Sequence, residues 1–208
     1  IINWIPLEAG ERVQAVLPVR EYEHGNVLFA TARGTVKKTA LAEFAYRLAR
    51  GKIAINLDEG DRLVDVALTD GQRDVMLFAS NGKTVRFGEA SIRTTGRNTS
   101  GVRGIRLRDG EEVVSLIVAE SRGDANSDEE DAIDDGVETV VETSDDDARL
   151  ETVADDGGPD ILTVTENGYG KRTALLEYPR KGRGTQGVIG IQTSERNGRL
   201  IGAVLLSA

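Results

Sequence analysis

The chain of 208 residues contains no cysteine, few aromatic residues and no long hydrophobic run. The absence of cysteine excludes disulfides, thiolate metal sites and thiol catalysis, and it suits a reducing cytoplasm. Aromatic residues make up 4% of the sequence, which argues against extensive stacking on nucleic-acid bases. No apolar segment is long enough to predict a transmembrane helix. The sequence has neither an initiator Met nor a signal peptide and opens within a strand-like pattern, so we expect a fragment of a longer chain.

The net charge of −9 is the sum of the charges of two very different regions. Residues 124–156 hold 15 acidic residues and a single Arg, whereas the rest of the chain holds 25 basic and 20 acidic residues, a net of +5. The low hydrophobicity of this acidic insertion, bounded at 122–159, predicts flexibility. Its run Val137–Thr143 is a competing signal, because β-branched residues favour an edge strand or hairpin. We hypothesise that the insertion competes with a polyanion for the basic body.

A repeat of about 50 residues organises the basic body. Three apolar runs each lead into a glycine, with a basic residue four positions later: Gly34 and Lys38, Gly82 and Arg86, Gly168 and Arg172. A second set of turn glycines follows at Gly10, Gly60, Gly110 and Gly198, spaced by 50, 50 and 88 residues. Subtracting an insertion of about 38 residues restores the last spacing to 50. The first glycine set has spacings of 48 and 86, so both sets place a single insertion between the second and third repeats.

Short apolar strands separated by glycine turns predict an all-β fold made of propeller-like, four-stranded blades. We expect residues 1–25 to form the second half of a preceding blade, residues 26–73, 74–121 and 160–208 to form one blade each, and the insertion to separate the last two. The only helical pattern is Thr39–Gly51, where tertiary context could equally impose a loop. Its counterparts in the other two repeats contain Gly, Pro and Thr and read as extended loops.

Positive charge gathers where the two halves of each repeat join. The basic residues of these segments are Lys37, Lys38, Arg47, Arg50 and Lys52 in the first repeat, Arg86, Arg93, Arg97, Arg103 and Arg106 in the second, and Lys171, Arg172, Arg180, Lys181 and Arg183 in the third. If equivalent loops share one outer edge, these residues form a basic track for the backbone of a polyanion, with little base reading. The alternative is that they merely keep exposed loops soluble.

No catalytic or metal site is predicted. His24 adjoins Glu23 and Gly25 in a connection between blades and is most simply a surface residue. The four tyrosines lack a neighbouring His-based activating pattern. A near-match to a calcium loop at residues 131–142 has Ile133 at a ligand position, so we predict no metal there.

The segments NGKTVRF, SGVRGIRL, ENGYGKRT and TQGVIGIQTSERNG resemble the C-terminal domain of bacterial DNA gyrase A, and the resemblance covers about 170 residues. It implies a β-pinwheel that bends duplex DNA around a basic outer rim and supports ATP-dependent negative supercoiling. The family heptapeptide QRRGGKG is absent, and residues 183–187 match it only in part. We therefore expect this fragment to bind or bend DNA less effectively than the whole domain.

The resemblance also implies partners outside the fragment. These are duplex DNA, the remaining domains of gyrase A, and gyrase B in an A2B2 heterotetramer of the bacterial cytoplasm and nucleoid. ATP, Mg²⁺ and the strand-breaking tyrosine belong to other parts of that complex, and we predict no cofactor and no catalytic site here. Two alternatives stay open: a topoisomerase IV C-terminal domain that selects DNA geometry, and a bladed protein-interaction scaffold.

Overall fold

A computed structural model describes residue 7 and residues 10–49, 51–121 and 158–206. The first repeat contains β1 (Asn26–Thr31), β2 (Thr35–Ala40) and β3 (Leu63–Thr69). The second contains β4 (Arg73–Ala79), β5 (Lys83–Gly88), β6 (Val102–Arg103) and β7 (Val113–Glu120). The third contains β8 (Asp160–Thr165), β9 (Gly170–Ala174), β10 (Val188–Ile189) and β11 (Leu200–Leu206). These antiparallel strands confirm the predicted all-β class.

Three equivalent hairpins form the centre of the repeats. β1 pairs with β2, β4 with β5 and β8 with β9. Each turn holds its predicted glycine at a positive φ, +86° at Gly34, +82° at Gly82 and +82° at Gly168. Glycine adopts this backbone region without the steric cost that a Cβ would add. A longer strand, β3, β7 or β11, pairs with the other side of the first hairpin strand.

The sheets do not coincide with the sequence repeats, because each four-stranded sheet borrows its outer strand. The strand orders are β3-β1-β2-β6, β10-β5-β4-β7 and β11-β8-β9. β6 of the second repeat pairs with β2 of the first, and β10 of the third repeat pairs with β5 of the second. Each of these two outer strands is only two residues long. The division of the chain into blades at the predicted boundaries stays a prediction.

The sheets pack against one another through the long strand at the end of each sheet, with β7 in contact with both β3 and β11. One core lies between the first two sheets and contains Leu28, Val36, Leu77, Val85 and Ile105. A second core joins the second and third repeats around Met76, Phe78, Ile161 and Tyr178. Aliphatic and β-branched residues dominate both cores, as a pleated and doubly covered sheet requires.

A single 3-10 turn follows the outer hairpin strand in each repeat, at Leu41–Phe44, Glu89–Ser91 and Leu175–Glu177. In the first repeat this turn and the loop after it replace the helix that Thr39–Gly51 could have formed. No helix among the described residues is long and apolar enough to cross a membrane. His24 is exposed, as expected. The acidic insertion, including Val137–Thr143, and Arg50 lie outside the described residues.

Candidate nucleic-acid interface

Three connecting loops follow the 3-10 turns: loop 1 at residues 45–57, loop 2 at 92–107 and loop 3 at 178–193. Loop 2 runs beside β2 of the first sheet, where the Thr95 amide donates to the Lys38 carbonyl at 2.8 Å. Loop 3 runs beside β5 of the second sheet in the same way, where the Lys181 amide donates to the Arg86 carbonyl at 2.8 Å. Each of these two loops therefore covers part of the preceding repeat.

Loops 2 and 3 bury two of the predicted DNA contacts, Lys38 and Arg86. Lys38 Nζ donates to the Glu89 carbonyl at 3.1 Å and lies 3.4 Å from the Glu89 carboxylate. Arg86 pairs with Asp74 at 2.7 Å and donates to the Tyr178 carbonyl at 3.0 Å. Both cations hold the 3-10 turn of the following repeat in place. The structure thus removes them from the exposed track that we expected, because the next loop covers the outward face of the strand.

Lys37 is also buried and takes a structural part. Its Nζ donates to the carbonyls of Ala54, at 2.6 Å, and Arg97. Burial lowers the pKa of the Lys37 ammonium, and the nearby positive charge of Arg97 lowers it further. The equivalent Lys171 donates to the Gly190 carbonyl at 3.2 Å. Both lysines tie an outer hairpin strand to the loop of its own repeat.

Arg180 and Arg172 belong to ion pairs of very different exposure. Arg180 Nε lies 3.1 Å from the fully buried Asp74 carboxylate, to which Ser121 Oγ also donates at 3.1 Å. Arg172 pairs with Asp160, but its side chain is 68% exposed. Arg180 is therefore part of the buried network at the second sheet, whereas Arg172 remains accessible to a ligand.

Two further arginines bridge successive repeats. Arg97 Nη1 donates to the Ile53 carbonyl at 3.0 Å, and Arg183 Nη1 donates to the Arg103 carbonyl at 3.2 Å. Lys52 is half-buried; its Nζ donates to the Glu43 carbonyl at 3.0 Å and lies 5.7 Å from the centre of the Tyr46 ring.

Exposed basic residues lie on adjoining backbone segments where loop 3 overlaps loop 2. The Gly184 amide donates to the Gly104 carbonyl at 2.7 Å, and the Arg106 amide donates to the Thr185 carbonyl at 2.8 Å. Arg183 Nε donates to the carbonyl of Ser91 at 3.1 Å, and Ser91 precedes Arg93 by two residues. The overlap cluster, defined as Arg93, Arg103, Arg106 and Arg183, contains exposed residues of two repeats. Of the other predicted cations, Arg47 and Lys181 are exposed in loops 1 and 3.

The sequence interpretation missed the carboxylates that pair with the predicted cations. Asp74 precedes Arg86 by twelve residues, and Asp160 precedes Arg172 by the same number. In both hairpins this spacing places the two side chains diagonally across the paired strands, two register positions apart. The recurring acid–base spacing could have identified these pairs. Glu89, the partner of Lys38, lies in the next repeat and carries no such signal.

The described residues contain no cluster of His, Cys, Asp and Glu suited to a metal ion. A shallow cavity of about 250 Å³ lies at the glycine turns of the third repeat and is lined by Glu166, Thr193, Ser194, Glu195, Gly198 and Arg199. It lies on the hairpin-turn side of the sheet and includes none of the predicted cations.

Comparison with known proteins finds the same family along the whole basic body. The family model of the DNA gyrase C-terminal domain, beta-propeller, matches residues 25–70, 73–120 and 159–207. The DNA gyrase A protein of Escherichia coli (strain K12) is 49% identical over 205 residues, which is 98% of this chain and 19% of that protein. The DNA gyrase A protein of Pseudomonas aeruginosa is 43% identical over 178 residues, 86% of this chain and 15% of that protein. The chain thus spans about a fifth of these relatives.

Two solved structures share the fold. The C-terminal domain of DNA topoisomerase IV superposes with a TM-score of 0.76 at 27% identity, covering 99% of this chain and 54% of that one. The DNA gyrase A C-terminal domain superposes with a TM-score of 0.71 at 21% identity, covering 99% of this chain and 57% of that one. At 21% identity the second match shows the fold alone.

Proposed function

The chain belongs to the DNA gyrase C-terminal domain family, and on that premise we propose that it wraps duplex DNA without sequence preference along its connecting loops. The overlap of loops 2 and 3 is the observation that supports this site, because its backbone hydrogen bonds bring segments with exposed basic residues from two repeats side by side. Lys and Arg that neutralise phosphates release counterions and bind every sequence alike. The scarcity of aromatic residues fits contact with the DNA backbone.

Contacts from successive loops can also offset the free-energy cost of bending the duplex. Bending a site of 20–30 bp by 40–90° costs on the order of 1–6 kcal/mol. A cluster that meets phosphates at successive points along the DNA recovers this energy through additional charge contacts. We therefore place the bend at loops 2 and 3, with Arg47 extending the path to loop 1 and Arg172 extending it at β9.

In the longer protein we infer a supporting part for this chain. Because it spans about a fifth of its gyrase relatives, the strand-breaking and ATP-hydrolysing sites belong in our proposal to other domains and to gyrase B, in an A2B2 complex of the bacterial cytoplasm. The wrapped segment would be delivered to that complex for ATP-dependent negative supercoiling. ATP and Mg²⁺ act there and not on the residues described here.

A salt titration of DNA binding tests the site. Replacing Arg93, Arg103 and Lys181 by Gln should reduce the slope of log K against log salt by about 2.7, because each lost phosphate contact removes about 0.9. The matched control removes the same charge from exposed positions outside the loops, at Arg12, Arg20 and Arg108. Equal changes in slope for the two triple variants would contradict the site.

A topoisomerase IV C-terminal domain is the second candidate, supported by the TM-score of 0.76 with that domain. The longer protein, reconstituted with its ATP-hydrolysing partner, separates the two functions. A gyrase introduces negative supercoils into relaxed plasmid, whereas an enzyme that only selects DNA geometry relaxes supercoiled plasmid. Failure of the chain to bind DNA even at low salt would instead favour the protein-interaction scaffold.

A further inference from the structure

Arg97 and Arg183 make the same backward contact one repeat apart. Their carbonyl acceptors, Ile53 and Arg103, are separated by 50 residues, the spacing of the second-turn glycines. Each guanidinium also reaches the preceding 3-10 turn: Arg97 Nε lies 3.7 Å from the Glu43 carboxylate, and Arg183 Nε donates to the Ser91 carbonyl at 3.1 Å. The structure therefore repeats one arrangement at two successive junctions.

The planar guanidinium suits this arrangement. Its donors leave in fixed directions, so one side chain can hold a loop carbonyl and a 3-10 turn at a set distance from each other. Neighbouring backbone bonds follow the same junctions, from the Asn56 amide to the Thr99 carbonyl at 3.1 Å and from the Gly184 amide to the Gly104 carbonyl at 2.7 Å. Each arginine thus fixes one connecting loop against the loop before it.

We propose that Arg97 and Arg183 are positioning residues that set the spacing between successive connecting loops, and with it the spacing of the cations that meet DNA. This inference rests on the proposed function. It replaces the expectation that both arginines are themselves phosphate contacts. A stiff duplex bends only if successive cations meet it in register, so loosening the junctions lowers bending more than it lowers charge attraction.

A charge-preserving double variant, Arg97→Lys with Arg183→Lys, separates position from charge. Lysine binds phosphate as a point charge but lacks the rigid fork of donors. We expect an unchanged salt slope for DNA binding. The protein-dependent acceleration of ligase-catalysed circularisation of a duplex of about 150 bp should fall about a hundredfold, about tenfold for the charge-assisted hydrogen bond lost at each of the two junctions.

The matched control makes the same substitutions at Arg20 and Arg108, which are exposed and lie outside the three loops, and both readouts should stay at wild-type values. Hydrogen exchange without DNA provides a test independent of the proposed function: the Asn56 and Gly184 amides should lose protection in the first variant and keep it in the control. The single variants Arg97→Lys and Arg183→Lys provide folded alternatives if the double variant unfolds. Retained circularisation by the double variant, or retained amide protection, would overturn the inference. If wild-type protein does not bind DNA, the proposed function fails, and amide exchange alone decides the positioning part.

Discussion

Replacing Asp74 by Asn should destabilise the protein more than any surface change in the same sheet. Asp74 and Arg86 form a pair 2.7 Å apart in which both side chains are fully buried, and Arg180 lies 3.1 Å from the same carboxylate. Removing one partner of a buried pair leaves an uncompensated charge and costs about 3–5 kcal/mol. In a protein of this size each kcal/mol lowers Tm by roughly 2–4 °C, so we expect a decrease of roughly 6–20 °C.

The third repeat provides the control, because Asp160 and Arg172 make the equivalent pair with 68% of the arginine side chain exposed. Asp160→Asn should cost about 1 kcal/mol or less, since solvent screens an exposed pair. Differential scanning calorimetry and circular dichroism of both variants against wild type measure the difference. Equal losses in Tm would refute the reasoning that burial, and not pairing itself, makes the Asp74 network important.

Three other outcomes are expected. The urea midpoint of Gly82→Ala should lie well below that of Gly168→Ala. Both residues have a φ of +82°, but an added Cβ would lie 2.0 Å from the Ile191 carbonyl oxygen at Gly82 and would meet nothing within 4 Å at Gly168. Similar midpoints for the two variants would contradict this packing argument. Burial raises the pKa of Tyr178 from 10.0 to about 12, so it adds about 3 kcal/mol of stability that is complete below pH 10 and lost as the pH rises to 12. In Tyr178→Phe, the free energy of unfolding should fall less between pH 10 and pH 12 than in the wild type. An unchanged pH dependence would exclude Tyr178 as the cause of this loss. Deleting residues 124–156, which carry 15 acidic residues and one Arg, should tighten DNA binding in gel shifts, most at low salt, and equal affinity would rule out electrostatic competition.

The hairpins could be predicted from the sequence because their signals are local. An apolar run, a glycine that tolerates positive φ and a second run with β-branched residues all lie within fifteen or so residues. The exchange of β6 and β10 could not be predicted, since a two-residue strand has no periodicity and its partner belongs to another repeat. The repeat identifies the sequence units, but it does not show that the short outer strand of one unit pairs with the sheet of the unit before it.

Exposure of the predicted basic residues could be inferred from the sequence only for those in loops that no later segment covers. Arg93 and Arg103 lie in glycine-rich loops and are exposed, although their contact with DNA stays a prediction. Lys38 and Arg86 follow the same compositional pattern but are buried, because a loop from the next repeat covers them and supplies their partners. Whether a basic residue in a strand is exposed therefore depends on which segment of the next repeat packs over that strand, and the sequence of the strand alone does not show this.

Because the second sheet borrows β10 as its outer strand, the second and third repeats are held together by non-covalent contacts as well as by the polypeptide chain. The covalent connection runs through residues 122–157, while the pairing of β10 with β5, the contact of β7 with β11 and the bond from Arg180 to Asp74 do not depend on it. A protease that severed the polypeptide within the insertion would consequently leave both pieces attached. Expressed separately, they should recognise each other as complementing fragments, which makes this junction a place where the gene tolerates added length.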